Sequence, residues 1–281
     1  MVHSKKDQNQ KVLPGLFGRT IKELKNSVLA AFSFYSRIPV SQNFGRETPP
    51  HVLLAFPLVG FVIGLILGLL LMMLSFSHKP FLLAAFFLLG EFVLTGGIHL
   101  DGFADAADAI YSRRGREEEL RIMKDPHAGP MAIISVILLL LCEFAALAEI
   151  LKHSLPLFPG SSGWRLALVL ASFLAAGRCA SGYLSLSLPY ARSSGMLGLV
   201  KNPGDERKKI ILLLQGLFFA LVASLVASIP GLIAVGAILP LAFLSATYFR
   251  RHYGGITGDL AGFFLCVAEA VELSLYALFL A

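Results

Sequence analysis

Long apolar runs constrain this chain more than any other feature. Stretches of about 18 to 25 predominantly apolar residues, enough to cross a ~30 Å hydrocarbon core as helix, fall near residues 51–76, 80–100, 131–151, 164–187, 209–228, 231–249 and 258–281. Composition agrees, since 56% of the 281 residues are hydrophobic and only 15% are charged, against roughly 25% charged in an average soluble domain. The expected fold class is all-α: a polytopic integral membrane bundle of about seven transmembrane helices. The segment 27–40, SVLAAFSFYSRIPV, is shorter and carries Ser33, Ser36, Arg37 and Pro39, so it reads as an interfacial or re-entrant piece rather than a crossing.

Lysine and arginine gather on the cytoplasmic side of membrane proteins. Residues 1–50 carry eight of them, the 112–128 loop five, the 190–209 loop five and the segment 250–253 two, while the intervening loops hold only Lys79, Lys152 and Arg165. The amino terminus is therefore expected inside and the carboxyl terminus outside. The net charge of +6 follows from this loop bias and gives no reason to invoke nucleic acid. Residues 1–26 are polar and lysine-rich without an apolar core and cleavage site, which predicts a mobile cytoplasmic tail and no removable signal peptide. Residues 27–281 then form a single helical membrane domain. Cys142, Cys179 and Cys266 lie in apolar spans without CxxC spacing and read as small apolar filler.

Against this background the acids of GGIHLDGFADAADAI, residues 96–110, stand out. Asp101, Asp105 and Asp108 follow an i, i+4, i+7 pattern, which places them on one stripe of a helix at the cytoplasmic end of the second apolar run. Like charges at that spacing repel, so a compensating cation is expected, and a hard divalent ion such as Mg2+ takes carboxylate and phosphate oxygens. A second glycine and acid element, GGITGD, opens the last run on the same side. Thr257 suits a helix cap and Asp259 suits a helix amino terminus. Glu117 to Glu119, with Arg121, read as a short solvated helix, whereas Lys124 and Asp125, before Pro126, are candidates for a site at the membrane surface. Arg178 lies within an apolar run, where a guanidinium is costly and functional or paired by default. With Arg37 and Arg192 it is a candidate to grip phosphate.

The motifs LTGGIHLDGFADAADAI, IMKDPHAG, GRCASGYLSLSLPYAR and GGITGDLAG, in this order and spacing, resemble the cobalamin synthase family, adenosylcobinamide-GDP ribazoletransferase, over roughly residues 28–272. The resemblance implies a Mg2+-dependent, multi-pass enzyme of the prokaryotic cell (inner) membrane with its site on the cytoplasmic side. Such an enzyme joins adenosylcobinamide-GDP to alpha-ribazole or its 5'-phosphate and releases GMP. It is compatible with homo-oligomers or with association with other cobalamin-assembly enzymes. Carried onto this chain, the family's acidic motif falls on Asp101, Asp105 and Asp108, and its glycine-acid motif on Gly258 and Asp259. Asp101, Asp105, Asp108 and Asp259 are the expected metal ligands and catalytic carboxylates, with His99 as a further proton acceptor. Arg37, Lys124, Asp125, Arg178 and Arg192 are the expected substrate-binding residues.

Two other classes stay open. A CDP-alcohol phosphotransferase also uses several aspartates at a membrane surface, although its DxxDGxxAR spacing is absent. An ion-coupled transporter would explain Glu91, Glu143, Glu149, Glu269 and Glu272 within or near the apolar runs.

Overall fold

The computed structural model describes residues 7–41, 49–154, 163–192, 197–198 and 205–280. Ten α-helices are assigned among them: α1 (Asp7–Tyr35), α2 (Val52–Leu74), α3 (Pro80–Thr95), α4 (Ile98–Ser112), α5 (Arg116–Ile122), α6 (Pro130–Ser154), α7 (Gly163–Ser187), α8 (Glu206–Gly236), α9 (Ile238–Tyr248) and α10 (Gly258–Phe279). A short π-helical turn, Phe249–Tyr253, continues α9. The one extended pairing among the described residues is an isolated parallel bridge between Tyr190 and Ile256. Residues 7–26, expected as a mobile tail, are helical from Asp7 onward and share α1 with the segment expected at the interface.

Helix α7 is the axis of the bundle, because nearly every residue from Leu166 to Leu186 is buried. It packs along α2 through Gly60, Gly64 and Gly68, spaced four apart on one face. A Cβ on Gly64 would lie 2.6 Å from the Ala171 Cα, so only glycine lets the two backbones approach this closely. Small residues at such a seam are how helices associate in lipid, where apolar burial no longer drives pairing. Lipid-facing side chains such as Leu225 (75% exposed) and Phe243 (72%) mark the opposite surface.

By length and apolarity five helical runs qualify as crossings, and six if α3 and α4 count as one bent span, against about seven expected. The difference lies in residues 206–253, which form one helical run of 48 residues. Straight, that run would measure roughly 72 Å at 1.5 Å per residue, more than twice the hydrocarbon core. It does not stay straight. Ser228 leaves helical geometry (φ 56°, ψ −142°) just before Pro230, and a Cβ on Gly231 would lie 2.5 Å from the Ala223 carbonyl oxygen. The chain therefore folds back on itself between the runs 209–228 and 231–249.

Between α3 and α4 the consecutive glycines Gly96 and Gly97 both adopt the left-handed conformation (φ 68° and 71°), which residues with a Cβ avoid. The chain turns there by 94°. Helix α4, most of which lies beyond the apolar run 80–100, then packs against α6 and α10, with Phe103 stacked on Phe263 and Ala107 buried with Cys266, and it reaches the starts of those two helices at Ala132 and Asp259.

Candidate active site

Asp101, Asp105 and Asp108 lie along α4, which crosses α10 at two facing glycines. A Cβ on Gly102 would sit 3.1 Å from the Asp259 Cα, and one on Gly262 3.0 Å from the His99 carbonyl oxygen. This close approach brings the second acidic element beside the first, as their shared side in the sequence predicts.

The GGITGD segment is held in place by pairing with the end of α7. Ile256 N–H donates to the Pro189 carbonyl (2.8 Å), and Ala191 N–H donates to the Ile256 carbonyl (3.0 Å). Thr257 caps α10 by accepting from the Leu260 N–H at 3.1 Å, the role its sequence position suggests. Next to it Arg192 donates to an Asp259 carboxylate oxygen at 2.7 Å and to the Leu120 carbonyl at 3.3 Å.

The four aspartates are not equivalent. Asp108 accepts from the Ala132 N–H (3.3 Å) in the first turn of α6, with its carboxylate lying over Gly129. Asp259 is engaged by Arg192. Asp101, which is exposed, and Asp105 accept no hydrogen bond from the described residues. Burial, followed by the charges of Asp101 and Asp259, pushes the Asp105 carboxyl up to about 7, with Arg192 opposing. Among the described residues no three His, Cys, Asp or Glu side chains converge to hold a metal ion, so the expected four-carboxylate cage is not formed in this conformation. What fits Mg2+ is the smaller set of two unengaged hard oxygen donors, Asp101 and Asp105, since that ion commonly takes one or two carboxylates together with substrate phosphates.

Asp101 lines two cavities. An inner cleft of about 220 Å3 is bounded by Tyr35, Phe56, His99, Tyr190, Arg192 and Asp259. An outer groove of about 710 Å3 is bounded by Ser33, Ser36, Arg37, Gly96 and Phe92. Arg37 is anchored through its N–H to the Leu94 carbonyl at 2.7 Å, and its side chain passes over Gly96, where a Cβ would strike it. His99 packs against the contacting rings of Tyr35 and Phe56 (centroids 6.1 and 5.4 Å away), and its Nε2 is buried with no hydrogen-bond partner.

Other expected residues lie elsewhere. Arg178 is fully buried and donates to Glu269 at 2.6 Å and to the Leu174 carbonyl at 2.8 Å. It is a paired charge in the bundle interior, not a neighbour of the α4 aspartates. Glu91, Glu143 and Glu269 line a further small cavity together with His99. Lys124 and Asp125 are exposed in the turn before α6 and line neither of the cavities that meet at Asp101. Asp125 is instead tied to His127, through the backbone N–H at 3.0 Å and the ring Nδ1 at 2.7 Å.

One residue with a role was read as solvated. Glu119 is 2% exposed and accepts from the Tyr253 hydroxyl (2.6 Å) and from the Gly115 N–H (3.2 Å). His252 Nε2 lies 2.8 Å from it. With Leu120 holding Arg192, α5 grips both strands of the site. The signal in the sequence was faint: three consecutive glutamates in a seven-residue helix show no face.

Comparison with known proteins adds the family. Residues 27–277 match the cobalamin-5-phosphate synthase (CobS) family. A Pseudomonas aeruginosa PAO1 protein named adenosylcobinamide-GDP ribazoletransferase is 36% identical over 267 residues, covering 92% of this chain and 100% of the relative. One of the same name from Clostridium perfringens SM101 is 32% identical over 251 residues, covering 89% and 96%. No solved structure gives a significant match. The chain, with its acidic α4 stripe and its capped glycine-acid turn, belongs to the cobalamin-5-phosphate synthase family.

Proposed function

We propose that this chain is the membrane transferase that joins adenosylcobinamide-GDP to alpha-ribazole or its 5'-phosphate and releases GMP, giving adenosylcobalamin or its 5'-phosphate. The observation that carries this reading is Asp101, unengaged and lining both cavities, each of which has its own arginine, with the equally unengaged Asp105 one helical turn further along α4. In phosphoryl transfer the protein chiefly positions the partners and neutralises charge. A ribose hydroxyl oxygen bonds to the phosphorus that carries the cobinamide. The bridging P–O bond breaks with its electron pair on GMP. The hydroxyl proton passes to an unengaged carboxylate oxygen, that of Asp101, which lines both cavities. Arg37 and Arg192 orient phosphate oxygens from the two sides, and Arg192 is itself aimed by Asp259 and Leu120.

Mg2+ bound by Asp101 and Asp105 together with substrate phosphate oxygens would neutralise the charge of the pyrophosphate. Helices α4 and α10 are held together by Gly102 and Gly262, which fixes Asp259 at the α4 stripe. The lysine and arginine bias supports placing this end of the bundle at the cytoplasmic face of a prokaryotic cell membrane. The test is GMP release by purified protein in lipid, with each substrate omitted in turn and with Mg2+ replaced by chelator. Release that needs both substrates and Mg2+ supports the reading; no release with the complete mixture overturns it.

A further inference from the structure

Two cavities share Asp101 and differ in shape and chemistry. The inner cleft has aromatic walls, with Tyr35 and Phe56 in ring contact (centroids 4.3 Å apart) and Tyr190 also lining it. Buried Ser181 and Ser185 lie on the same wall, and the Arg192–Asp259 pair is among its polar groups. Its chemistry suits a planar base with a sugar and a phosphate, since flat rings stack against aromatic faces and a guanidinium takes phosphate. The outer groove is larger, about 710 Å3, and Phe92, which lines it, is 53% exposed. Its size suits the bulkier, partly apolar molecule, and Arg37, whose side chain lies over Gly96, offers a charge for a pyrophosphate.

Resting on the transferase reading, we infer that the substrates are divided between these cavities: the base-bearing ribose nucleoside enters the inner cleft, and the corrinoid nucleotide occupies the outer groove. Asp101 stands between them. This division has a chemical rationale, because displacement at phosphorus needs the attacking and leaving oxygens roughly in line. A hydroxyl arriving from the inner cleft attacks from one side, and GMP departs on the other, toward Arg37. Tyr35 and Tyr190 are then specificity-determining residues for the nucleoside base, and Arg37 for the corrinoid nucleotide.

The experiment is steady-state kinetics of GMP release with each substrate varied separately. Arg37→Ala, which removes a charge-assisted contact, and Ser33→Phe, which narrows the outer groove, should raise KM for the corrinoid nucleotide by about tenfold or more. Both should leave KM for the nucleoside within about twofold. Ser185→Leu, filling the inner cleft, should give the converse. Product inhibition of the unaltered enzyme is a second measurement that survives any misfolded variant: GMP should compete with the corrinoid nucleotide and not with the nucleoside. Variants that shift both KM values together, a reversed split, or GMP competing with the nucleoside would each overturn the division. Absence of GMP release from the unaltered protein would instead remove the transferase reading on which the division rests.

Discussion

Replacing Glu119 tests whether α5 is a structural grip on the site or a solvated charge run. Its carboxylate is 2% exposed and serves the Tyr253 hydroxyl at 2.6 Å, His252 at 2.8 Å and the Gly115 N–H at 3.2 Å. In Glu119→Ala the Gly115 N–H turns to water because that residue is exposed, and His252, whose side chain is 37% exposed, does the same. The Tyr253 hydroxyl cannot, because Tyr253 is fully buried. The Tyr253 hydroxyl keeps only Tyr248 as a side-chain partner, so the main loss is its bond to the carboxylate, about 1–3 kcal/mol, with a smaller contribution from the other two bonds. Glu119→Gln keeps a carbonyl acceptor at the same place and should lose less, about 1 kcal/mol. Tyr253 immediately precedes Gly254 and the segment that carries Asp259, so activity should fall with stability in the alanine variant and largely return in the glutamine variant. Thermal unfolding in detergent, paired with GMP release, reads both quantities. An alanine variant that unfolds and turns over like the unaltered protein would refute the grip.

The α4 aspartates should separate under the same pair of assays. Asp101→Asn and Asp105→Asn, which have no partners to lose, should abolish most activity while leaving stability unchanged or a few tenths of a kcal/mol higher from relieved repulsion. Asp108→Ala should instead cost about 1 kcal/mol as a lost helix cap, and Asp108→Asn should restore it. The raised carboxyl of Asp105 predicts a pH dependence. Its contribution to stability is present below the ordinary carboxylate range and is lost as pH rises through about 7, so metal-free protein should weaken over that window. Added Mg2+ and Asp105→Asn should each flatten the profile, and unfolding curves at pH 5 and pH 8 measure this. Finally, Arg178→Met should destabilise the fold by about 3–5 kcal/mol by leaving Glu269 buried and unpaired. Arg178→Met combined with Glu269→Met should recover most of that loss in unfolding experiments.

Much of the site was legible because its signals are local. An i, i+4, i+7 run of aspartates declares a shared face, and GGITGD declares a turn followed by a capped helix; the charge bias of the loops then places both at one end. What was hidden depends on partners far along the chain. The sequence shows that Arg178 must be paired, and nothing near it shows that the partner is Glu269, 91 residues away. Glu119 finds Tyr253 across 134 residues, so its neighbours Glu117 and Glu118 lend it a false appearance of exposure. Lys124 and Asp125, singled out by their closeness to Pro126, are exposed in the turn before α6 and line neither cavity. The GxxxGxxxG seam on α2 was readable as a packing motif, but an apolar run with glycines does not say which helix it meets. The fold-back at Ser228 escaped as an explicit break because a serine in left-handed geometry has no sequence signature, although Pro230 divided the two apolar runs nearby.

The right-angle turn at Gly96 and Gly97 has a consequence for the lipid around the protein. It ends α3 after 16 residues, which gives roughly 24 Å of apolar helix at 1.5 Å per residue, several Å less than a typical ~30 Å hydrocarbon core. A lipid wall meeting α3 alone would have to thin or tilt, at a fraction of a kcal/mol per Å of mismatch, and Phe92 places that wall beside the outer groove. Turnover in bilayers of longer and shorter acyl chains is therefore expected to differ.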